Sequence, residues 1–355
     1  MHTKLFIPGP TEVSAECLEA CGVPMVGHRS KEYSDLHERT IQKLKKFFGT
    51  ESGNIFLFTS SSTGAMEACI RNLAAKRVFS ATCGAFSERW AKMVQENGKE
   101  GDAYSVDWGK PNLPEKVDEA LSTGKYDCFT VVYNETSTGL MNPVPEMGKV
   151  LQKYPDVSFC VDAVSAMAGV PIQPEELGVD VILAGVQKAF GLPPGLAVVW
   201  VSDRALEKAA TVPGRGHYFD FLYFKKSAEK HQTPETPVIS LINALDVQLD
   251  RMMAEGFDAR YERTASMANL CREWARKHFE IYPEAGYESQ TLTTIRNTRK
   301  IDVGALNKEL KKRGVVIAPG YGKIKDETFR ISHMADCQID ELKQVLGWID
   351  EILGL

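Results

Sequence analysis

Short, uninterrupted apolar runs separated by helix-patterned stretches are the feature that most narrows what this chain can become. Asn54–Thr59 (NIFLFT), Arg77–Ala81 (RVFSA), Cys128–Tyr133 (CFTVVY), Val157–Val161 (VSFCV), Val179–Ala184 (VDVILA) and Leu196–Val201 (LAVVWV) read as strands. Continuous apolar character without polar alternation marks strands covered on both faces. Between them lie segments with helical spacing, Ala65–Leu73 among them. Strands alternating with helices predict βαβ units, an α/β fold and a mostly parallel sheet. After Thr236-Pro237 the character changes. Val238–Phe279 is helical in composition, with Gly256 marking a break. Leu292–Asn297, Val315–Ala318 and Thr328–Ser332 then read as strands, and Val303–Arg313 and Ile339–Leu353 as helices. The expected division is an N-terminal segment plus large domain over 1–255 and a small α+β domain over 256–355. A length of 355 residues suits about two domains.

Composition enters mainly to exclude. Hydrophobic residues at 43% and charged residues at 25% rule out extended disorder. Lys+Arg of 42 against Asp+Glu of 47 leaves a net charge of −5 with no basic block, which argues against a nucleic-acid partner. No apolar run approaches the ~18 residues of a membrane span. The opening Met1-His2-Thr3-Lys4-Leu5 lacks the apolar core of a secretory signal, so a cytoplasmic protein with no membrane partner is expected. The eight cysteines are scattered without a C-x-x-C pair and read as reduced core residues. The seven histidines show neither H-E-x-x-H nor zinc-finger spacing, so no metal is expected.

In a parallel sheet, ligands bind beyond the carboxyl ends of the strands. Here those ends are polar and reactive: Ser61-Ser62-Thr63-Gly64, Asn134-Glu135-Thr136-Ser137, Asp162 and Gln187-Lys188. An acid at a buried strand tip, such as Asp162, is costly unless a cation meets it or it caps the next helix. Lys188, taken alone, reads as a snorkelling surface lysine. Its turn, Gly191-Leu192-Pro193-Pro194-Gly195, is tightly constrained, however, and partial burial frees a lysine amine for imine chemistry. An Asp and a Lys on successive strand ends form the minimal pyridoxal phosphate pair. The acid keeps the ring nitrogen protonated and the lysine forms the Schiff base. Ser61-Ser62-Thr63-Gly64 leads into a helix start that suits a phosphate, though simple capping uses the same geometry. Neither G-x-x-x-x-G-K-[ST] nor G-x-G-x-x-G occurs, which weakens ATP and dinucleotide readings.

The segments FCVDAVSAMAGV, LAGVQKAFGLPPGLAVVWVS, YNETSTGLMNP and FRISHMAD resemble the class V aminotransferases of the fold type I pyridoxal phosphate superfamily. The similarity is strongest to the alanine–glyoxylate and serine–pyruvate aminotransferase group and runs from FIPGPTEV to FRISHMAD. The resemblance implies a seven-stranded, mostly parallel sheet between helices. It assigns the Schiff base to Lys188 and the ring-nitrogen partner to Asp162. It places Thr136 at the cofactor's ring oxygen, Ser61, Ser62, Thr63 and Gln187 at its phosphate, and Phe86 where many relatives stack a Trp. A Phe there offers a smaller stacking area. Arg330 matches the arginine that grips the substrate α-carboxylate, a task suited to a planar guanidinium fork. Gln232–Pro237 resembles a loop that reaches a neighbouring subunit's phosphate site. That implies a homodimer with shared active sites, with Thr233 and Thr236 as contacts.

The expected reaction is a ping-pong transamination between a small amino acid, alanine or serine, and a small 2-keto acid, glyoxylate or pyruvate. Gly27-His28-Arg29-Ser30 also resembles a segment of phosphoserine aminotransferases, where the His-Arg pair meets the substrate phosphate. His28 and Arg29 are therefore the candidates for a phosphoserine alternative. If they instead order the N-terminal segment, the small-donor reading stands. A cysteine desulfurase or other lyase would need a mobile nucleophilic Cys, and Cys337 is the C-terminal candidate. A non-enzymatic protein of this fold would leave Asp162, Lys188 and Arg330 without a purpose.

Overall fold

The apolar runs assemble into one sheet. The structure, a computed structural model, describes residues 2–355. Seven strands form the sheet, in chain order β1 (Asn54–Phe58), β2 (Arg77–Thr82), β3 (Glu100–Ser105), β4 (Cys128–Val132), β5 (Ser158–Asp162), β6 (Val181–Gly185) and β7 (Ala197–Val201). Their spatial order is β1-β7-β6-β5-β4-β2-β3. Only β7 runs antiparallel, against β1 on one side and β6 on the other. The fold class is thus the expected one: α/β, mostly parallel and seven-stranded.

Alternation along each strand sends side chains to two separate cores. In β4, Phe129 and Val131 join one cluster, while Cys128 and Val132 join the other. In β6, Ile182 and Ala184 divide from Val181 and Leu183 in the same way. Both faces being apolar explains why these strands carry no polar alternation. The edge strand β3 is different: its sequence EGDAYS is half-exposed, and it has one neighbour only. No apolar run announced it.

The C-terminal part forms a second sheet in the order Lys4–Phe6, Val315–Pro319, Thr328–Ser332, Leu292–Arg296, Glu280–Ile281. Phe329, Ile331 and Ile295 pack from it onto Leu342, Val345 and Ile349 of the closing helix Ile339–Leu353. Two long helices, Ile239–Glu255 and Phe257–His278, lead into this region and meet at Gly256, whose φ of +88° favours glycine. The N-terminal segment differs from the expected division in one respect. Lys4–Phe6 pairs in parallel with Val315–Ile317, so this stretch belongs to the small sheet rather than the large one. No helix among the described residues is long and apolar enough to cross a membrane.

Candidate active site

The carboxyl ends of the parallel strands converge on one cavity. Ser61, Ser62, Thr63, Phe86, Thr136, Asp162, Gln187 and Lys188 all line it, together with Met66, Arg89, Val132, Asn134 and Val164. Asp162 ends β5, and Lys188 follows β6 in the adjacent turn. Each reaches the cavity because neighbouring parallel strands end at the same side.

Lys188 is buried, with Nζ 3.5 Å from Thr136 Oγ1 and 5.6 Å from the centre of the Phe86 ring. Burial, reinforced by the Arg330 charge, pushes its amine down to about 8, against the opposing pull of Asp162 and Glu135. A good share of it is therefore neutral and nucleophilic near pH 7–8. Asp162 is buried and accepts one hydrogen bond, 2.7 Å, from the Val164 N–H. Burial pushes its carboxyl up to about 7. A cation placed against it would return it to the ionised form.

The residues fit pyridoxal phosphate. Ser61 sits at the N-cap of helix Ser62–Leu73 yet makes no side-chain capping bond. Ser62 Oγ and Gln187 Oε1 are buried without a partner. Buried orphans of this kind call for a polar ligand. Gly185 keeps the space between them open. A Cβ there would stand 2.3 Å from Ser62 Oγ and 2.4 Å from Gln187 Oε1. A helix N-terminus with free hydroxyls and an uncommitted amide is suited to an anion.

Arg330, on the small-sheet strand Thr328–Ser332, is tied to the lining residue Thr136. Nη1 donates to Thr136 O at 3.1 Å and Nε to Pro319 O at 3.1 Å. Its guanidinium also lies over the Tyr321 ring, 5.4 Å from the centre. Tyr321 stacks on Phe86 at 5.4 Å. Arg330 is buried and has no carboxylate partner among the described residues.

His28, Arg29, Thr233 and Thr236 do not line the cavity. Arg29 is exposed, and its guanidinium donates to Thr233 O and Pro234 O, each at 2.6 Å. Thr233 is buried, with Oγ1 donating to Glu235 O at 2.7 Å, while Thr236 is exposed. Cys337 lines a separate cavity, with Lys4, Phe6 and Glu12.

Sequence reasoning gave no role at the site to Glu135, Arg89, Ser165 or Tyr321. Glu135 is buried and accepts from the N–H groups of Phe86, Ser87 and Ser137 and from the hydroxyls of Ser87 and Ser137. It thereby anchors the start of helix Ala85–Glu96, which carries Phe86 and Arg89. Arg89 follows Phe86 by three positions, so helical spacing offered a signal for it. Tyr321 and Ser165 carried none.

This geometry defines a pyridoxal phosphate-dependent transferase of fold type I, and the chain belongs to the Aminotransferase class-V family, whose family model matches residues 14–341. It is 38% identical to an uncharacterized aminotransferase of Methanocaldococcus jannaschii, covering 98% of this chain and 91% of that protein. It is 32% identical to the serine–glyoxylate aminotransferase of Methylorubrum extorquens, covering 94% and 87%. Among solved structures, the alanine–glyoxylate aminotransferase of Nostoc sp. superposes with a TM-score of 0.93 at 25% identity, covering 99% and 96%. The protein is an aminotransferase, and its cofactor is pyridoxal phosphate.

Proposed function

We propose that the enzyme transfers an amino group between a small amino acid, alanine or serine, and a small 2-keto acid, glyoxylate or pyruvate, in two half-reactions. The observation that carries this reading is the placing of Lys188 and Asp162 in one cavity, with the buried Arg330 bonded to the main chain of Thr136 in its lining. Arg330 holds the α-carboxylate that every such substrate shares, through N–H groups left over from its two main-chain bonds. With the cofactor bound, Asp162 would hold the ring nitrogen, and Ser61, Ser62, Thr63 and Gln187 the phosphate, while Phe86 would cover the ring and Thr136 would meet its ring oxygen. Pyridoxal phosphate, when bound, supplies an electron sink for the pair left behind when the Cα–H bond breaks. Lys188 Nζ, depressed towards neutrality, takes up that proton as a general base and returns it as a general acid.

The names of the Methylorubrum relative and of the Nostoc structure support a small donor. Arg29 is already occupied by two main-chain carbonyls, which takes support from the phosphoserine alternative. Cys337, outside the cavity, gives a desulfurase no nucleophile. We further propose a homodimer in which Gln232–Pro237 completes the partner's phosphate site. Sedimentation should then give twice the chain mass.

The test is a donor panel. The purified enzyme is titrated with alanine, serine, phosphoserine, aspartate and glutamate, and conversion of its visible absorbance is followed. Alanine or serine should give the highest kcat/KM. A higher value for phosphoserine or a dicarboxylic donor would overturn the small-donor reading.

A further inference from the structure

Ser165 lies just beyond β5, and its side chain is buried. Its Oγ is 2.7 Å from Asn134 O and 2.9 Å from Thr136 Oγ1. A carbonyl oxygen can only accept, and a serine has one hydroxyl proton. That proton is therefore committed to Asn134 O. The contact with Thr136 must then use the threonine's proton, with Thr136 donating and Ser165 accepting. Thr136 Oγ1 is left with lone pairs alone for its remaining direction, and there it meets Lys188 Nζ at 3.5 Å.

The main chain of Ser165 is held in place. Its carbonyl accepts from Asn134 Nδ2 at 3.0 Å and from Thr291 Oγ1 at 2.7 Å. Asn134 Nδ2 also donates to Thr291 Oγ1 at 2.8 Å. Three separate segments, at Asn134, Ser165 and Thr291, thus meet around one short chain of hydroxyls.

We propose that Ser165 is a positioning residue that fixes the Thr136 hydroxyl as a hydrogen-bond acceptor toward Lys188 Nζ, and so raises the proton affinity of that nitrogen. The proposal rests on the reading of Lys188 as the reacting amine. Without Ser165, the Thr136 proton is released to turn toward the Lys188 nitrogen or, in the loaded enzyme, toward the ring oxygen, and either way the nitrogen loses its acceptor. The hydroxyl then turns, and the neutral form gains.

Other charges face the same nitrogen. Asp162 at the end of β5 and Glu135 in the strand Asn134–Glu135 favour its protonation, and Arg330 from the small sheet opposes it. Arg89, from helix Ala85–Glu96, lines the same cavity. All four persist in a Ser165 variant, so a change in the midpoint isolates the hydroxyl relay.

The test is a spectrophotometric pH titration of the cofactor-loaded enzyme, whose visible band reports the protonation of the Lys188 nitrogen joined to the cofactor. Ser165→Ala should lower the midpoint by about one pH unit, a tenfold change. Thr136→Val should lower it comparably, and the double variant should fall no further, because the two residues act as one relay. An unchanged midpoint in Ser165→Ala, or additive shifts in the double variant, would overturn the proposal. The pH dependence of Lys188 labelling by an amine reagent, mapped by peptide in cofactor-stripped protein, reads the midpoint of the free amine, which Ser165→Ala should lower in the same direction. Absence of a visible band from the wild-type enzyme would strike the proposed function, while the labelling profile would still decide on Ser165.

Discussion

At the scale of single residues, the site is two ionisable groups pushed from their ordinary ranges by burial and placed where a cofactor can use both. Lys188 is held at about 8 and Asp162 at about 7. Lys188→Ala should abolish the visible absorbance of the loaded enzyme and reduce turnover by at least the roughly 10²–10⁴-fold of a positioned proton-handling group. Borohydride reduction and peptide mapping check this, and a label on another lysine would reassign the role. Asp162→Asn keeps the shape and removes the charge. Its kcat should fall by orders of magnitude in the same range, while the fold survives. A near-normal kcat would mean that Asp162 only receives the Val164 N–H. These two residues were legible in the sequence because a parallel sheet gathers its strand ends, and a polar residue after an apolar run stands out. Ser165 and Tyr321 were not. Their roles come from contacts such as Ser165 Oγ to Asn134 O and Tyr321 to Phe86, which no local pattern encodes.

At the scale of elements, the same distinction separates what the pattern revealed from what it hid. Strands covered on both faces, such as β4 and β6, appear as continuous apolar runs. The edge strand β3, half-exposed and polar, does not. The strand Lys4–Phe6 was hidden for a different reason. Its partner Val315–Ile317 lies at the other end of the chain. That pairing has a consequence at the active site, since the segment after it crosses back to Lys188. The Thr11 N–H donates to Gln187 O at 3.0 Å, and Thr11 Oγ1 donates to Lys188 O at 2.7 Å. Gly9 lies against the lysine stem: a Cβ there would come within 2.8 Å of Lys188 Cδ. Its φ of +146° also disfavours other residues. Gly9→Ala should therefore displace the Lys188 amine and lower kcat by about ten- to a hundredfold, since small misplacements of reacting groups carry costs of that order. Thermal stability should change by only a few degrees. An unaltered kcat would show that the lysine stem has room to yield.

At the scale of the whole molecule, each sheet region carries a buried histidine. His37, in helix Lys31–Phe48, packs beside Tyr33 against the large domain. His333 follows the strand Thr328–Ser332 and shares a 3.0 Å hydrogen bond between Nε2 and Thr293 Oγ1. Burial pushes His37 down to about 4 and His333 to about 3. In the unfolded chain both titrate near 6.5. Between those values the unfolded chain binds protons that the native chain refuses. Stability is therefore full above pH 6.5 and is lost as the pH falls through the window. Each histidine contributes a slope of about 1.4 kcal/mol per pH unit there. Asp162 opposes them in the cofactor-free protein. Its native value of about 7 lies above its ordinary value, so its contribution weakens as the pH rises toward 7. A single-residue comparison separates the two effects. Between pH 6.5 and 4, the unfolding free energy of the wild type should fall faster than that of His37→Gln. The difference should be about 1.4 kcal/mol per unit with both proteins in the same cofactor state. Urea titrations at several pH values measure it. Parallel slopes for the two proteins would show that His37 is protonated in the native fold, and that its burial is relieved before the chain unfolds.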